Sequence, residues 1–320
     1  MFSASYKPGV YAGIDCGTGG IRMAISKVEA DGNSQRLEGL SVDHRIGNDL
    51  NKTGAISPAT VQHLCEITKE FIKKAQEHGV TEMRAVATES LRSASNGPEV
   101  LEKLAEIGMP FELLTGLQEL ELSLLGAGPF LKDLKEDYYF ADSGGGSTEV
   151  ALVDGQAGAI IVGKSLRVGL SSMSKQLKAL PDKPSKSELD AFTEVLAQMF
   201  TRKMAHWQKP NTQADKFVIA GSPTYLKRFQ LRHKTKQKGR YFGQFITQED
   251  LIIIAAELAE LGHEGRKNSP YLDNSGVYFM LPAAVKSLAL LKATGTQVMI
   301  APSGICTGLA LQQAAEKGAA

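Results

Sequence analysis

Phe140-Ala-Asp-Ser-Gly-Gly-Gly-Ser-Thr-Glu-Val-Ala-Leu152 is the stretch on which the reading of this chain turns. The apolar run 138–141 reads as a strand ending in Asp142. Gly144, Gly145 and Gly146 follow. Without a Cβ they let the backbone turn tightly and approach a ligand closely. Ser147 and Thr148 add hydroxyls, and Glu149 leads into a second apolar run, 150–153. The pattern is strand, glycine loop and returning strand, with a carboxylate at each shoulder. Successive amides in such a loop make a hollow for an anion. Two carboxylates beside an anion point to a hard cation between them, with magnesium the first choice.

A single glycine loop is weak evidence, since most are only turns. A second stretch, Tyr11-Ala-Gly-Ile-Asp-Cys-Gly-Thr-Gly-Gly-Ile-Arg-Met-Ala24, lays over the first without gaps. Asp15 falls on Asp142, Gly17 on Gly144, Gly19 on Gly146, Gly20 on Ser147 and Ala24 on Ala151. A repeat about 127 residues apart is too long for a solenoid period. It predicts two similar halves whose glycine turns face each other across a cleft. The alternative is a pair of unrelated hairpins.

Composition limits the options. The 320 residues suit two domains, 42% of them are apolar, and the net charge is +1. A balanced charge gives no general attraction to DNA or to a membrane surface, so polyanion binding needs a local site. Cys16, Cys65 and Cys306 are odd in number and far apart, which suggests a reducing compartment rather than a disulfide framework. The histidines show no metal-ligand spacing. No charged-then-apolar leader opens the chain, and the longest apolar run, 251–256, is too short to span a bilayer. A cytoplasmic location is the expectation.

Strand-like and helix-like segments alternate, an α/β pattern. Strands are predicted at 36–44, 83–87, 110–114, 159–162, 216–220 and 298–301 besides the two hairpins. Helices are predicted from Pro58, over 99–107, from about Leu117, from Ser185 to Trp207, over 248–261, over 282–294 and over 308–317. Residues 46–54, rich in Gly and Asn, read as a loop. The run Arg228, Arg232, His233, Lys234, Lys236, Lys238 and Arg240 reads either as a solvated loop or as a track for a long polyanion.

The motifs Ile14-Asp-Cys-Gly-Thr-Gly, Ala87-Thr-Glu-Ser-Leu-Arg-Ser-Ala-Ser-Asn96, Thr115-Gly-Leu-Gln-Glu119 and Asp142-Ser-Gly-Gly-Gly-Ser-Thr-Glu149 come in an order that resembles the exopolyphosphatase / guanosine pentaphosphate phosphohydrolase family of the actin-like ATPase superfamily. The resemblance runs from about Tyr11 to Leu311. It implies two actin-like, ribonuclease H-like domains, each a mixed β-sheet flanked by helices, with an interdomain cleft. The first domain would be 1–128, joined by a last helix at about 307–320, and the second 129–306. The chain resembles a short form of the family, without a further helical C-terminal domain. Three positions depart from the family pattern, one of them Asp273-Asn-Ser-Gly276 where a Glu-Arg-Ala-Asp run is usual. Gly19-Gly20 stand where an asparagine and a hydroxyl are usual, and Ser222-Pro223 stand where a glycine pair is usual.

The implied chemistry is hydrolysis of a terminal phosphoanhydride, which needs a positioned phosphate, neutralised charge and an oriented water. Backbone amides of Gly17, Thr18, Gly19 and Gly20, and of Gly144, Gly145, Gly146, Ser147 and Thr148, would hold phosphate. Arg22 and Arg92 would grip it as well. Asp142, Glu149 and Asp15 would hold Mg2+. The resemblance makes Glu119 the general base. On periodicity alone Glu119 reads as a surface helix residue, and Glu121 is its rival. The implied substrates are inorganic polyphosphate or guanosine pentaphosphate. Guanosine tetraphosphate is a candidate regulator and a homodimer a candidate assembly, with no DNA and no membrane partner. A phosphotransferase of the same superfamily is the less favoured alternative.

Overall fold

The chain divides into two units, Met1–Leu131 with Ser303–Ala320, and Lys132–Pro302. The structure, a computed structural model, describes residues 5–44, 46–207, 217–234, 241–294, 297–302 and 304–319. Unit 1 opens with the meander β1 (Gly9–Cys16), β2 (Gly20–Val28) and β3 (Ser34–Asp43). It continues through α1 (Ile46–Thr53), α2 (Pro58–Glu77), β4 (Glu82–Ala87), α3 (Glu89–Ser93), α4 (Gly97–Glu106), β5 (Phe111–Leu113) and α5 (Gly116–Leu131). The sheet order is β3-β2-β1-β4-β5, with β4 parallel to β1 and β5 parallel to β4.

Unit 2 contains β6 (Tyr138–Ser143), β7 (Thr148–Asp154), β8 (Ala159–Leu166), α6 (Leu170–Leu177), α7 (Lys186–Met204), β9 (Phe217–Gly221), α8 (Pro223–Gln230), β10 (Phe245–Thr247), α9 (Gln248–Lys267), α10 (Asn274–Thr294) and β11 (Gln297–Ala301). Its sheet order is β10-β11-β9-β6-β7-β8. Read from β8, this is the order of the first sheet with β10 added antiparallel at the edge. The shared order, an antiparallel meander followed by two parallel strands, is the ribonuclease H-like arrangement of actin-like domains. The last helix, α11 (Ile305–Ala319), belongs to unit 1.

The central strands are buried on both faces, which is why they read as unbroken apolar runs. In β1, alternate residues Ala12, Ile14 and Cys16 join the core under α2 and α4. Tyr11 points the other way, against Ala310, Leu311 and Ala314 of α11. Gly13 is needed there, because a Cβ would lie 2.3 Å from the Cys306 carbonyl oxygen. In unit 2, Tyr139 and Ala141 of β6 join a core built from β9, β11 and the helices α6, α7, α9 and α10. Among the described residues, α10 is the one helix long and apolar enough to cross a membrane, and most of its apolar stretch is buried inside the protein.

Several elements differ from the sequence expectations. Residues 46–53 form a helix rather than a loop, anchored by the buried Ile46. Its Asp49 carboxylate accepts from the Ser57 amide, which links it to the start of α2. Helix α10 begins two turns before Pro282, and the proline sits inside it. Helix α9 resumes after Gly262, whose φ of 59° is a glycine-favouring break, and runs on to Lys267. Gly126-Ala-Gly-Pro129 lies in the last part of α5. Gly126 there serves packing, since a Cβ would stand 2.0 Å from the Gly304 carbonyl oxygen. Helices α6 and α8 and the edge strand β10 are additions that periodicity alone did not mark, each being eight residues or fewer.

Candidate functional site

Both glycine stretches fold as β-hairpins in the same register. In unit 1, Asp15 pairs with Arg22 across β1 and β2. In unit 2, Asp142 pairs with Glu149 across β6 and β7. The third strand of each meander places a serine opposite, Ser41 beside Arg22 and Ser165 beside Glu149. The duplication is therefore geometric, and it differs in charge. One hairpin carries an acid facing a base, and the other carries two acids. Both hairpins turn at the carboxyl ends of parallel strands, where open α/β sheets bind ligands.

In the unit 2 loop, the carbonyl oxygen of Gly144 accepts from the Leu170 amide at 3.1 Å, and that of Gly145 accepts from the Ser171 amide at 2.9 Å. Both donors lie in the first turn of α6, where helix amides lack internal partners. A trans peptide sets its C=O and the next N–H on opposite sides. Carbonyls 144 and 145 are turned into the protein, so the amides of Gly145 and Gly146 are turned away from it. Amides turned this way are free of the two carbonyls' contacts with α6 and are of the kind that can line a hollow. Gly169 makes this close approach feasible. A Cβ on it would lie 2.2 Å from the Gly145 oxygen.

Asp142 and Glu149 are buried at 8% and 2% exposure. The Ser165 hydroxyl donates to Glu149 Oε1 at 2.7 Å. Burial pushes the Glu149 carboxyl up to about 7, with the Asp142 charge adding to the effect and the Ser165 and Ser147 hydroxyls opposing it. Two facing buried carboxylates favour a nearby cation. Part of that charge comes from a residue the sequence reading missed. Lys286 of α10 is fully buried, and its Nζ donates to Thr148 Oγ1 at 2.9 Å and to the Gly144 carbonyl at 3.3 Å. The signal was available: a lone lysine within the run Leu281-Pro-Ala-Ala-Val-Lys-Ser-Leu-Ala-Leu-Leu291 has no exposed face to occupy. Thr148, expected to bind phosphate, gives its only hydroxyl proton to the Val168 carbonyl and accepts from Lys286. Its side chain braces the loop from behind.

In unit 1 the Gly17 amide donates to the Gly20 carbonyl at 3.1 Å and closes the first loop, with Thr18 half-buried and Gly19 exposed. Gly20 is tight against β3, where a Cβ would lie 2.8 Å from the Val42 oxygen. Arg22 Nη1 stands 3.9 Å from Asp15 Oδ2, with the arginine half exposed and the aspartate buried. The Thr88–Asn96 segment contains α3, and Arg92 points from that helix to Glu119 at the start of α5. Arg92 Nη1 donates to Glu119 Oε1 at 2.9 Å and to the Leu114 carbonyl, and Nη2 donates to Glu89 Oε2 at 2.6 Å. The guanidinium expected to grip phosphate thus orients two carboxylates. Glu119 is buried at 5% exposure and Glu121 is exposed, which separates the two rivals by environment. Glu89 is a further member that the sequence reading did not single out.

The basic run is mostly engaged elsewhere or undescribed. Arg228 is buried and ion-paired to Asp273 at 3.4 Å. Arg232 pairs with Glu257 and lies over the Phe229 and Tyr271 rings. His233 bonds the Tyr241 hydroxyl and Lys234 is exposed. Lys236, Lys238 and Arg240 lie outside the described residues.

Fold and loops together define a pair of actin-like domains, each with a glycine hairpin at the carboxyl end of its sheet. The chain belongs to the Ppx/GppA phosphatase family, whose model matches residues 25–311. It is 30% identical over 150 residues to Exopolyphosphatase 2 of Mycobacterium tuberculosis, a match covering 44% of this chain and 47% of the relative. The match thus spans about half the length of that relative. The fold is similar to the solved Aquifex aeolicus member of the Ppx/GppA family, with a TM-score of 0.82, 23% identity, and 97% of this chain and 98% of the other covered. It is similar as well to an exopolyphosphatase from Cytophaga hutchinsonii, with a TM-score of 0.81, 16% identity, and 96% and 98% covered.

Proposed function

We propose that this chain hydrolyses the terminal phosphoanhydride bond of inorganic polyphosphate and releases orthophosphate. The observation that carries the reading is the unit 2 hairpin, where outward amides at Gly145 and Gly146 stand beside the buried Asp142–Glu149 pair. Preorganised amides aimed at developing negative charge are a large source of catalysis, because they need no reorganisation as the reaction proceeds. The terminal phosphoryl group would lie on these amides, with the loop at Gly17–Gly20 and Arg22 supplying further donors. Glu119 would take the proton from the attacking water, held in orientation by Arg92. Glu119 and the unit 2 loop belong to different units, so the proposal requires both to act on one substrate.

The residues fit a divalent ion. Asp142 and Glu149 face each other, buried and like-charged. Among the described residues no group of three or more His, Cys, Asp or Glu gathers for a metal. Asp142 and Glu149 would be protein ligands of the ion, with water and phosphate at other positions, a habit of magnesium. Asp15, expected to join them, lies in unit 1 beside Arg22. The ion would neutralise phosphate charge when bound.

Guanosine pentaphosphate is the runner-up substrate. Polyphosphate is favoured because Ser222 is buried, with its hydroxyl donating to Ser143 Oγ at 2.8 Å, and Pro223 begins α8. A purine lying against the backbone here would meet a proline ring with no N–H. The test is orthophosphate release from long-chain polyphosphate and from guanosine pentaphosphate, with and without magnesium, for wild type, Glu119→Ala and Glu149→Ala. Release from polyphosphate that both substitutions abolish supports the reading. Near-wild-type turnover in Glu119→Ala removes the base assignment, and activity that survives full chelation removes the metal role of Asp142 and Glu149.

A further inference from the structure

Lys286 has no place in the chemistry above, yet its surroundings are specific. It sits in the middle of α10 among Ala283, Ala284, Leu288, Ala289 and Leu290, all buried. An ammonium is rarely kept in such a place unless its protons are matched. Its two acceptors are the Gly144 carbonyl and Thr148 Oγ1, the two ends of the glycine loop. Gly144 opens the loop after β6 and Thr148 starts β7. One cation therefore ties both stems of the loop together from the protein side.

We propose that Lys286 is a positioning residue for the phosphate-binding loop, and that its charge sharpens the Gly145 amide as a donor to the phosphoryl group. The inference rests on the phosphohydrolase reading. The Gly144 carbonyl accepts both Lys286 Nζ and the Leu170 amide. The Gly145 N–H belongs to the same peptide and points the opposite way. A positive charge on the oxygen side polarises that peptide and strengthens the amide on the other side. Burial works against the ammonium, and the nearby Glu149 and Asp142 carboxylates work for it. An anion arriving in the hollow thus meets an amide already aligned and polarised.

The test uses Lys286→Met in the full chain, with Thr148→Val as the second variant should the methionine protein fail to fold. Methionine fills the same space without the charge, and because it leaves the buried Asp142 and Glu149 carboxylates without that counter-charge some loss of stability is expected beside any loss of rate. The expected result is a folded Lys286→Met protein whose kcat on polyphosphate falls about 100-fold, the scale of losing one preorganised donor, with a smaller change in KM. Thr148→Val keeps the Gly144 contact and is expected to lose about 10-fold. The second readout is the Gly145 amide resonance on adding inorganic tripolyphosphate with magnesium. It is expected to move in wild type and to move much less in Lys286→Met. Unchanged kcat and an unchanged amide response in a folded Lys286→Met protein would overturn the proposal. So would a variant that loses stability alone. If wild type releases no orthophosphate but the amide response depends on Lys286, the hydrolase reading fails and the positioning role stands.

Discussion

Gly169→Ala probes the loop through space alone. Gly169 has φ −102° and ψ 169°, an extended conformation that alanine adopts freely, so backbone strain is not at issue. The added Cβ would lie 2.2 Å from the Gly145 oxygen, 2.3 Å from the Gly146 carbonyl carbon and 2.4 Å from the Gly145 carbonyl carbon. Reaching an ordinary contact requires the loop or the start of α6 to move by about 1 Å. Overpacking of this kind costs about 1–3 kcal/mol, and a 1 Å displacement of catalytic groups costs roughly 100-fold in rate. Gly155→Ala is the matched control. Its Cβ would lie 2.1 Å from the Glu136 oxygen, at the opposite end of the β6–β7 hairpin. Both variants are expected to lower the thermal midpoint by several degrees, and only Gly169→Ala is expected to lower kcat for phosphate release by roughly 100-fold. The assays are thermal unfolding and steady-state orthophosphate release on the same preparations. If Gly169→Ala loses stability but keeps kcat within about 3-fold, a movement of 1 Å does not matter to chemistry, and the loop is not the phosphate cradle.

Two further outcomes are expected. Arg92→Met leaves Glu119 and Glu89 without their shared guanidinium and should cost roughly 2 kcal/mol in urea unfolding, together with a larger fall in kcat than in KM; an unaltered kcat would separate Arg92 from the base role proposed for Glu119. His44, held by burial at about 4 against an ordinary 6.5, binds its proton more readily unfolded than folded. Its contribution is therefore fully present above pH 6.5 and is lost as pH falls toward 4, up to roughly 3 kcal/mol. The stability difference between wild type and His44→Asn should shrink in wild type's disfavour over that window, and a difference independent of pH would contradict the burial argument.

Much of this was legible in the sequence because it is written in local chemistry. The glycine hairpins, the starts of α2, α7 and α9 and the buried central strands all follow from short-range rules. The gapless overlay of residues 11–24 on 138–151 becomes a common register in the structure, with Asp15–Arg22 against Asp142–Glu149. What escaped depends on distance along the chain. Lys286 lies far in sequence from the loop it holds, and no spacing rule links it to Gly144. Arg92 was read for its charge, and its carboxylate partners became visible only once α3 met the start of α5. Helix α6 is short and partly polar, with just Met173 and Leu177 buried, so its periodicity is faint. Its function is at its first turn, where two amides fix the carbonyls of the glycine loop.

The central claim is that water, not another acceptor, attacks a terminal phosphorus held on the unit 2 amides. Polyphosphate turnover in oxygen-18 water addresses this most directly, with mass analysis of the released orthophosphate. The account predicts that each orthophosphate carries a single labelled oxygen and that Glu119→Gln abolishes its formation. Unlabelled orthophosphate, or phosphate passed to an acceptor other than water, would contradict it.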